Sequence, residues 1–428
     1  MHSESAMSSL MELPTAPARM PWRDRWLRQA VFARLGKLEH GCVTVTDAEG
    51  THPFGQTSPE FPLSATVEIH DPNAYRRLAL RGSIGVGEGY MAGEWSCDDL
   101  PSLVRIFVLN QDALLGLEHG LTRLMMPLFR RLYARRDNTE HGSRLNIAAH
   151  YDLGNEFYRL FLDETLMYSA AIFPTPDAGL REASIAKLER ICRKLELQPD
   201  DHVLEIGSGW GGFALYAAQR YGCRVTTTTI SREQYELARE RVQAAGLAER
   251  VTVLCQDYRD LRGSFDKLAS IEMIEAVGER HLQTYFRACA DLLKPHGMML
   301  LQAITVADQK YEQYRNEVDF IRHYIFPGGF LPSLTAMADT LGRATDLRIF
   351  HLEDIGAHYA TTLQHWRERF LGNLERVRAL GFPDTFIRMW EYYLCYCEGG
   401  FRERAIGTVQ LLLTKPLCRR EPLTPTLV

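Results

Sequence analysis

The sequence predicts an α/β protein: a doubly wound, Rossmann-like parallel sheet preceded by a smaller α+β domain. Three observations carry this. From about residue 185 apolar strand-like segments alternate with amphipathic helical ones. A glycine-rich turn follows the first of those strands. Before residue 110 the pattern instead shows short β-like pieces broken by turn formers. The 428 residues allow two or three domains. The hydrophobic fraction of 46% suffices for a sizeable core, and a net charge of −5 excludes nucleic-acid binding driven by bulk positive charge. The odd count of nine scattered cysteines argues against a disulfide scaffold or structural zinc, and hence for a reducing cytosol.

The elements follow in order. Residues 1–21 are rich in Ser, Pro, Ala and Met and read as a disordered terminus, with no continuous apolar run of a signal peptide. The unit 22–112 opens with a helix over Trp22–Leu38, followed by β pieces at Cys42–Thr46, Ala65–Ile69 and Arg76–Leu80. Residues 113–145 read as a basic helical linker. Leu121, Leu124, Met125, Leu128 and Leu132 recur at helical spacing between Arg123, Arg130, Arg131, Arg135 and Arg136. Such a segment suits either a solvated helix or contact with anionic lipid. The largest unit, 146–416, contains strands at Asp201–Ile206, Arg224–Thr229, Val251–Gln256, Lys267–Met273 and Met298–Ile304. Helices are expected at Gly212–Tyr221, Arg232–Ala245 and Leu282–Leu293, then a polar insert (Val306–Asp319), two or three helices and a tail, 417–428. No stretch reaches 18 uncharged apolar residues, so no membrane span is expected.

The strongest local signal is VLEIGSGWGGFA, Val203–Ala214. Gly207, Gly209 and Gly212 permit a tight turn and close backbone approach to a ligand at a helix start. Glu205 stands two residues before the first glycine, and the second strand ends in TTTTIS (Thr226–Ser231) rather than the ribose-binding acid of a dinucleotide fold. That arrangement resembles a class I S-adenosylmethionine methyltransferase.

More specific phrases surround it: NIAAHYDLGNEFY (Asn146–Tyr158), MYSAAIF (Met167–Phe173), TTTTISREQ (Thr226–Gln234), QDYRDL (Gln256–Leu261), IEMIEAVG (Ile271–Gly278), YIFPGGFLPS (Tyr324–Ser333), HYATTLQHWRERF (His358–Phe370) and YCEGGFRERAIGTVQLLLTKP (Tyr396–Pro416). In order, they resemble the cyclopropane-fatty-acyl-phospholipid synthase family, which includes the mycolic acid cyclopropane synthases. Residues 25–110 resemble, more weakly, the lipid-binding N-terminal domain of its longer members. The resemblance implies methyl transfer from S-adenosylmethionine to the double bond of an unsaturated acyl chain in phospholipid. It implies an enzyme in the cytoplasm, peripherally associated with a bilayer surface, and admits a homodimer. The product is either a cyclopropane or, with a changed second step, a methylene branch that a reductase partner could saturate. A non-catalytic lipid-binding protein is the reading from another class.

Carried over residue by residue, the resemblance places the donor at Tyr168, Ser169, Gly207 and Gly209, then at Thr229 and Gln234, with Asp257 and Tyr258 against the adenine. Glu205 either contacts the donor or braces the loop, and Tyr151 and Asp152 are either a lid or ordinary helix and turn residues. In the family a bicarbonate ion acts as base, held by a Cys, a Glu, a His, a backbone amide and a Tyr. The matching positions here are Ala170, Glu275, Gln302, Ile304 and Tyr359. Ala170 and Gln302 depart from the pattern, so bicarbonate is held more weakly, held through water, or replaced by Glu275 alone. Glu272 falls on the alternate side of its strand and is set aside. The aromatic run Trp390–Phe401 either lines an acyl tunnel or packs the core. No His/Cys/Asp cluster suggests a metal.

Overall fold

The computed structural model describes residues 21–111, 138–139, 142–143 and 153–423. The basic stretch 121–136 and the pair Tyr151 and Asp152 lie outside these. The N-terminal unit begins with a helix, Trp22–Leu35, and four strands: β1 (Gly41–Asp47), β2 (Gly50–Gln56), β3 (Ser64–Ile69) and β4 (Trp95–Cys97). The sheet order is β2-β1-β3-β4, with β1 and β3 parallel. Alternation along β1 buries Val43 and Val45 on one face, as a half-buried strand requires.

Arg76–Leu80, expected as a strand, lies instead in the helix Asn73–Met91. The Asp71 carboxylate accepts from the Asn73 amide at 2.9 Å and turns the chain into the helix. Gly82, at φ 54° and ψ −135°, is non-helical and divides the segment into two helices joined at a kink, a conformation open to glycine. Beyond the kink, Gly87 allows close packing: a Cβ there would stand 2.4 Å from the Phe320 ring and 3.1 Å from Tyr392. The N-terminal unit is thereby pressed against the larger one.

The larger unit is a seven-stranded sheet of β5 (His202–Ile206), β6 (Arg224–Thr229), β7 (Val251–Cys255), β8 (Phe265–Ile271), β9 (Leu293–Val306), β10 (Arg348–Asp354) and β11 (Ile406–Thr414). Its order is β10-β11-β9-β8-β5-β6-β7, parallel from β9 to β7, with β11 antiparallel to both neighbours. The chain leaves β5 on one side through β6 and β7 and on the other through β8 and β9. The carboxyl ends of β5 and β8 therefore flank the switch point where doubly wound sheets bind ligands. The helices Gly212–Tyr221, Arg232–Ala244 and Leu282–Leu292 match expectation within a residue. Two results differ. The polar insert contains a helix, Asp308–Tyr314, and the sheet gains β10 and β11 beyond the five expected strands. Ile406–Thr414 is buried between two strands, and burial on both faces removes the alternation by which a strand is recognised.

Candidate active site

The donor half is made largely of backbone. After β5 the chain turns through Gly207 (φ 94°), Gly209 (φ 48°) and Gly211 (φ 84°) into the helix Gly212–Tyr221. The Gly207 and Ser208 amides both bond the Thr228 carbonyl, at 3.0 and 2.9 Å, which ties the loop to the end of β6. A Cβ on Gly212 would lie 2.6 Å from the Met167 sulfur and 2.7 Å from the Thr165 carbonyl, so the MYSAAIF segment packs directly on the loop. These glycines leave backbone open at a helix start, which suits a ligand that must approach closely.

Several expected donor-site side chains are engaged within the protein. Glu205 is buried and accepts from Thr227 Oγ1 at 2.6 Å across the β5–β6 pair, which is the bracing alternative. Burial pushes its carboxyl up to about 8. Thr229 Oγ1 donates to Gln234 Oε1 at 2.9 Å and accepts from the Ser231 amide. Asp257 is held by the guanidinium of Arg259 at 2.7 and 2.8 Å, and Tyr258 packs edge-on against Tyr285. The Tyr168 hydroxyl lies 2.9 Å from that of Tyr393, and Ser169 Oγ accepts from Lys187 at 2.7 Å. Lys187 is fully buried, and burial brings its ammonium down to about 8 against the raising influence of Glu272, Asp163 and Glu205.

The acceptor half is built from side chains beyond β8 and β9. β8 ends at Ile271, two residues before the expected Met273, because Glu272 takes a left-handed conformation, φ 51°. That turn breaks the alternation on which Glu272 was set aside. Its carboxylate instead faces the site, and three donors converge on it. The Ala170 amide reaches Oε1 at 2.9 Å, Gln302 Nε2 the same oxygen at 2.8 Å, and the Tyr359 hydroxyl reaches Oε2 at 2.8 Å. Glu272 shares a positive φ with three other non-glycine residues among those described, Leu166, Glu196 and Arg404, a conformation that costs backbone energy. Glu275 stands on the following turn, where Oε1 accepts from the Ile304 amide at 2.5 Å. Its Oε2 is buried with no hydrogen-bond partner among the described residues. Burial, and then the neighbouring charge of Glu272, push Glu275 up to about 8. Burial also raises Glu272, against the lowering influence of its donors and of Lys187. Gln302, Ala170, Ile304 and Tyr359 are thus brought together as expected, but Gln302, Ala170 and Tyr359 meet at Glu272 rather than at Glu275.

Both carboxylates open onto one cavity of about 740 Å³, within the usual range for ligand sites. It is lined by Tyr168, Tyr359, Tyr393 and Phe401, by Ile304, Phe326 and Leu363, and by polar side chains that include Lys310, Asp319 and Arg322. Val43, Val45, Val67 and Ile69 of the N-terminal sheet also line it. The aromatic run divides between both expected roles: Tyr392, Tyr393, Tyr396 and Phe401 line the cavity, while Trp390 is core, packed edge-on against Phe157 at 4.9 Å.

Residues 138–411 match the family model described as mycolic acid cyclopropane synthetase. The chain belongs to that family. Tuberculostearic acid methyltransferase UfaA1 of Mycobacterium tuberculosis is 41% identical over 96% of this chain and 95% of its own. Cyclopropane-fatty-acyl-phospholipid synthase of Escherichia coli is 38% identical over 82% of this chain and 88% of its own. Among solved structures, mycolic acid cyclopropane synthase CmaA1 complexed with SAH and CTAB superposes with a TM-score of 0.60 at 30% identity, covering 64% of this chain and 98% of that one. Cyclopropane synthase MmaA2 of M. tuberculosis gives the same TM-score at 29% identity. Like these cyclopropane synthases, the protein is an S-adenosylmethionine-dependent methyltransferase, in a family that acts on lipid acyl chains. Among the described residues no helix is long and apolar enough to cross a membrane.

The sequence reading missed Glu272, Lys187, Lys194 and Gln410. One signal was available for the lysines: Lys187 and Lys194 fall seven residues apart on the apolar stripe of the helix Leu180–Leu195, beside Leu188, Ile191 and Leu195. A lysine in such a stripe must find a buried partner.

Proposed function

We propose that the protein transfers the methyl group of S-adenosylmethionine to the double bond of an unsaturated phospholipid acyl chain and closes it to a cyclopropane. The observation that carries this reading is the single cavity onto which two buried carboxylates open, and whose other lining includes aromatic side chains (Tyr168, Tyr359, Tyr393, Phe401) and aliphatic ones of the N-terminal sheet (Val43, Val45, Val67). An acyl chain needs such walls, and a carbocation needs water excluded and an anion nearby. The donor supplies an electrophilic methyl on a positively charged sulfur. The alkene π pair forms the new C–CH3 bond as the S–CH3 bond breaks, leaving its second carbon cationic. A carboxylate removes one proton from the new methyl, and that C–H pair closes the third ring bond. One proton is released per turnover. Tyr168, Tyr359 and Tyr393 line the cavity that would hold the cation, and the aromatic wall they form with Phe401 excludes water.

A second reading keeps the first step. If hydride shifts to the cationic carbon before the methyl loses its proton, the product carries a methylene branch that a reductase partner would saturate. It is favoured by Ala170 and Gln302, which alter the proton-accepting end of the site, and by the 41% identity to a tuberculostearic acid methyltransferase. The substrate places the enzyme at a bilayer surface. The arginines within 121–136 are the contact we assign, so raised salt weakens vesicle binding. Mass spectrometry of monounsaturated phospholipid vesicles incubated with protein and S-adenosylmethionine tests the function. A gain of one CH2 is expected, and no gain despite donor binding would overturn it. Survival of mild hydrogenation identifies the cyclopropane; uptake of hydrogen identifies the methylene branch.

A further inference from the structure

We infer that Glu272, and not Glu275, accepts the proton released in the reaction, and that a one-way hydrogen-bond chain from Lys194 through Gln410 and Gln302 holds it as an anion. The inference rests on the proposed methyl transfer to an alkene. The chain crosses the sheet where Gln302 of β9 and Gln410 of β11 stand in register. Lys194 Nζ donates to Gln410 Oε1 at 2.8 Å, Gln410 Nε2 to Gln302 Oε1 at 3.0 Å, and Gln302 Nε2 to Glu272 Oε1 at 2.8 Å. Gln302 Nε2 also reaches the Ala170 carbonyl at 3.2 Å, which engages both its protons.

The direction of the bonds is fixed from both ends, by the Lys194 ammonium and, at Gln302, by the Ala170 carbonyl, which can only accept. An ammonium has three N–H donors and no acceptor, so Gln410 must turn its oxygen to Lys194 and its amide NH2 to Gln302. Gln302 must then present its own NH2 to Glu272. Burial lowers the pKa of the Lys194 ammonium, with Arg190 and Arg420 acting in the same direction, while Glu353 at 2.5 Å favours its charged form and is paired in turn with Arg190. Gln302 and Gln410 are wholly buried, so no water competes to reverse either amide. At the far end Glu272 receives three donors, and an ionised carboxylate accepts all three more strongly than a neutral acid would. Glu275 receives one side-chain contact, from the Ile304 amide, and faces the charge of Glu272. Two carboxylates in such unequal surroundings divide the roles: the first stays ionised and takes the proton, the second rests protonated. The other titratable groups bearing on Glu272 are Lys187, which favours its charge, and Tyr359, which donates to it. Lys194, Gln410 and Gln302 are positioning residues; Glu272 faces the reacting carbons.

The test uses the full chain with monounsaturated phospholipid vesicles and methyl-labelled S-adenosylmethionine. Wild-type incorporation reads the proposed function, and the variants relative to it read this inference. Glu272→Gln is expected to lower turnover roughly 100-fold or more, with binding of S-adenosylhomocysteine unchanged. Turnover within a few-fold of wild type would overturn the assignment and give the role to Glu275. Should that variant fail to fold, Glu272→Gly assayed with added formate keeps the question open to decision. A rate that rises with formate supports a carboxylate base at this position, and a rate indifferent to formate in protein that still binds S-adenosylhomocysteine counts against it. Lys194→Met leaves Glu353 its pair with Arg190 and removes the positive charge and the donor at the head of the chain. Because the rate needs Glu272 ionised, the acid limb of kcat then moves to higher pH by about half a unit to one unit, with KM unchanged. An unmoved limb would overturn the role of the chain.

Discussion

The two halves of the active site are made of different material. The donor half is backbone: three glycines at positive φ and a helix start, tied to β6 by two amides on one carbonyl. The acceptor half is side chains: two carboxylates, a phenol, two amides and a lysine, gathered from five separated segments. Backbone chemistry is the same for every residue type, so the donor half is fixed by a short glycine pattern. Side-chain chemistry can be exchanged piece by piece, and Ala170 and Gln302, the two positions that depart from the pattern the resemblance implies, both converge on Glu272. The lesson is that a site made of backbone constrains only a short local pattern, while a site made of side chains depends on several distant positions at once.

Four substitutions would sharpen or break that comparison. Gly207→Ala attacks the donor half. Its φ of 94° disfavours any side chain, and the Cβ would meet Met273 at 3.0 Å. Strain of about 1–3 kcal/mol corresponds to roughly 5- to 150-fold weaker donor binding, read by calorimetry with S-adenosylhomocysteine; an unchanged affinity would show that the turn does not shape the donor site. Tyr359→Phe attacks the acceptor half alone. Loss of one donor to a buried carboxylate, about 1.5–3 kcal/mol, should cut kcat roughly 10- to 100-fold while donor affinity stays constant. Equal loss in both would mean the halves are not separable.

Val67→Phe narrows the cavity where the N-terminal sheet lines it. Acyl-chain preference should shift towards shorter chains by about tenfold in kcat/KM, measured by competition between phospholipids; an unchanged preference would place the chain elsewhere. The smallest effect concerns stability. Glu275 is raised to about 8 in the folded protein, so the folded state holds a proton that the unfolded chain releases above its ordinary carboxylate range. Its contribution is complete at pH 4 and is lost as pH rises towards 8. Glu275→Gln cannot lose that proton, so its Tm should gain a few degrees on wild type at pH 8 and little at pH 4.5, by calorimetry. A gain independent of pH would mean the carboxyl is not neutral when folded.

Periodicity and punctuation made the doubly wound sheet legible: the parallel strands and their crossover helices lie where alternating apolar segments put them. The glycine turn was legible for the same reason, since its meaning is local. Arg76–Leu80 was not, because a short stretch with no clear period is settled by its neighbours, here Asp71 and the kink at Gly82. Ile406–Thr414 escaped recognition because a strand buried on both faces has no alternation.

What the sequence by itself determined is therefore whatever depends on near neighbours along the chain: the helices, the parallel strands, the glycine loop, and the family. What only the tertiary structure decided is the proton-accepting end. Glu272 looked outward by the rule of alternating side chains, and a single left-handed residue turned it inward. Its partners Ala170, Gln302 and Tyr359 are 87 to 102 residues or 30 residues away along the chain, and Lys194 acts on it through Gln410, more than 200 residues from the lysine. Hydrogen-bond direction across such distances is a property of packing, and no local pattern of residues records it.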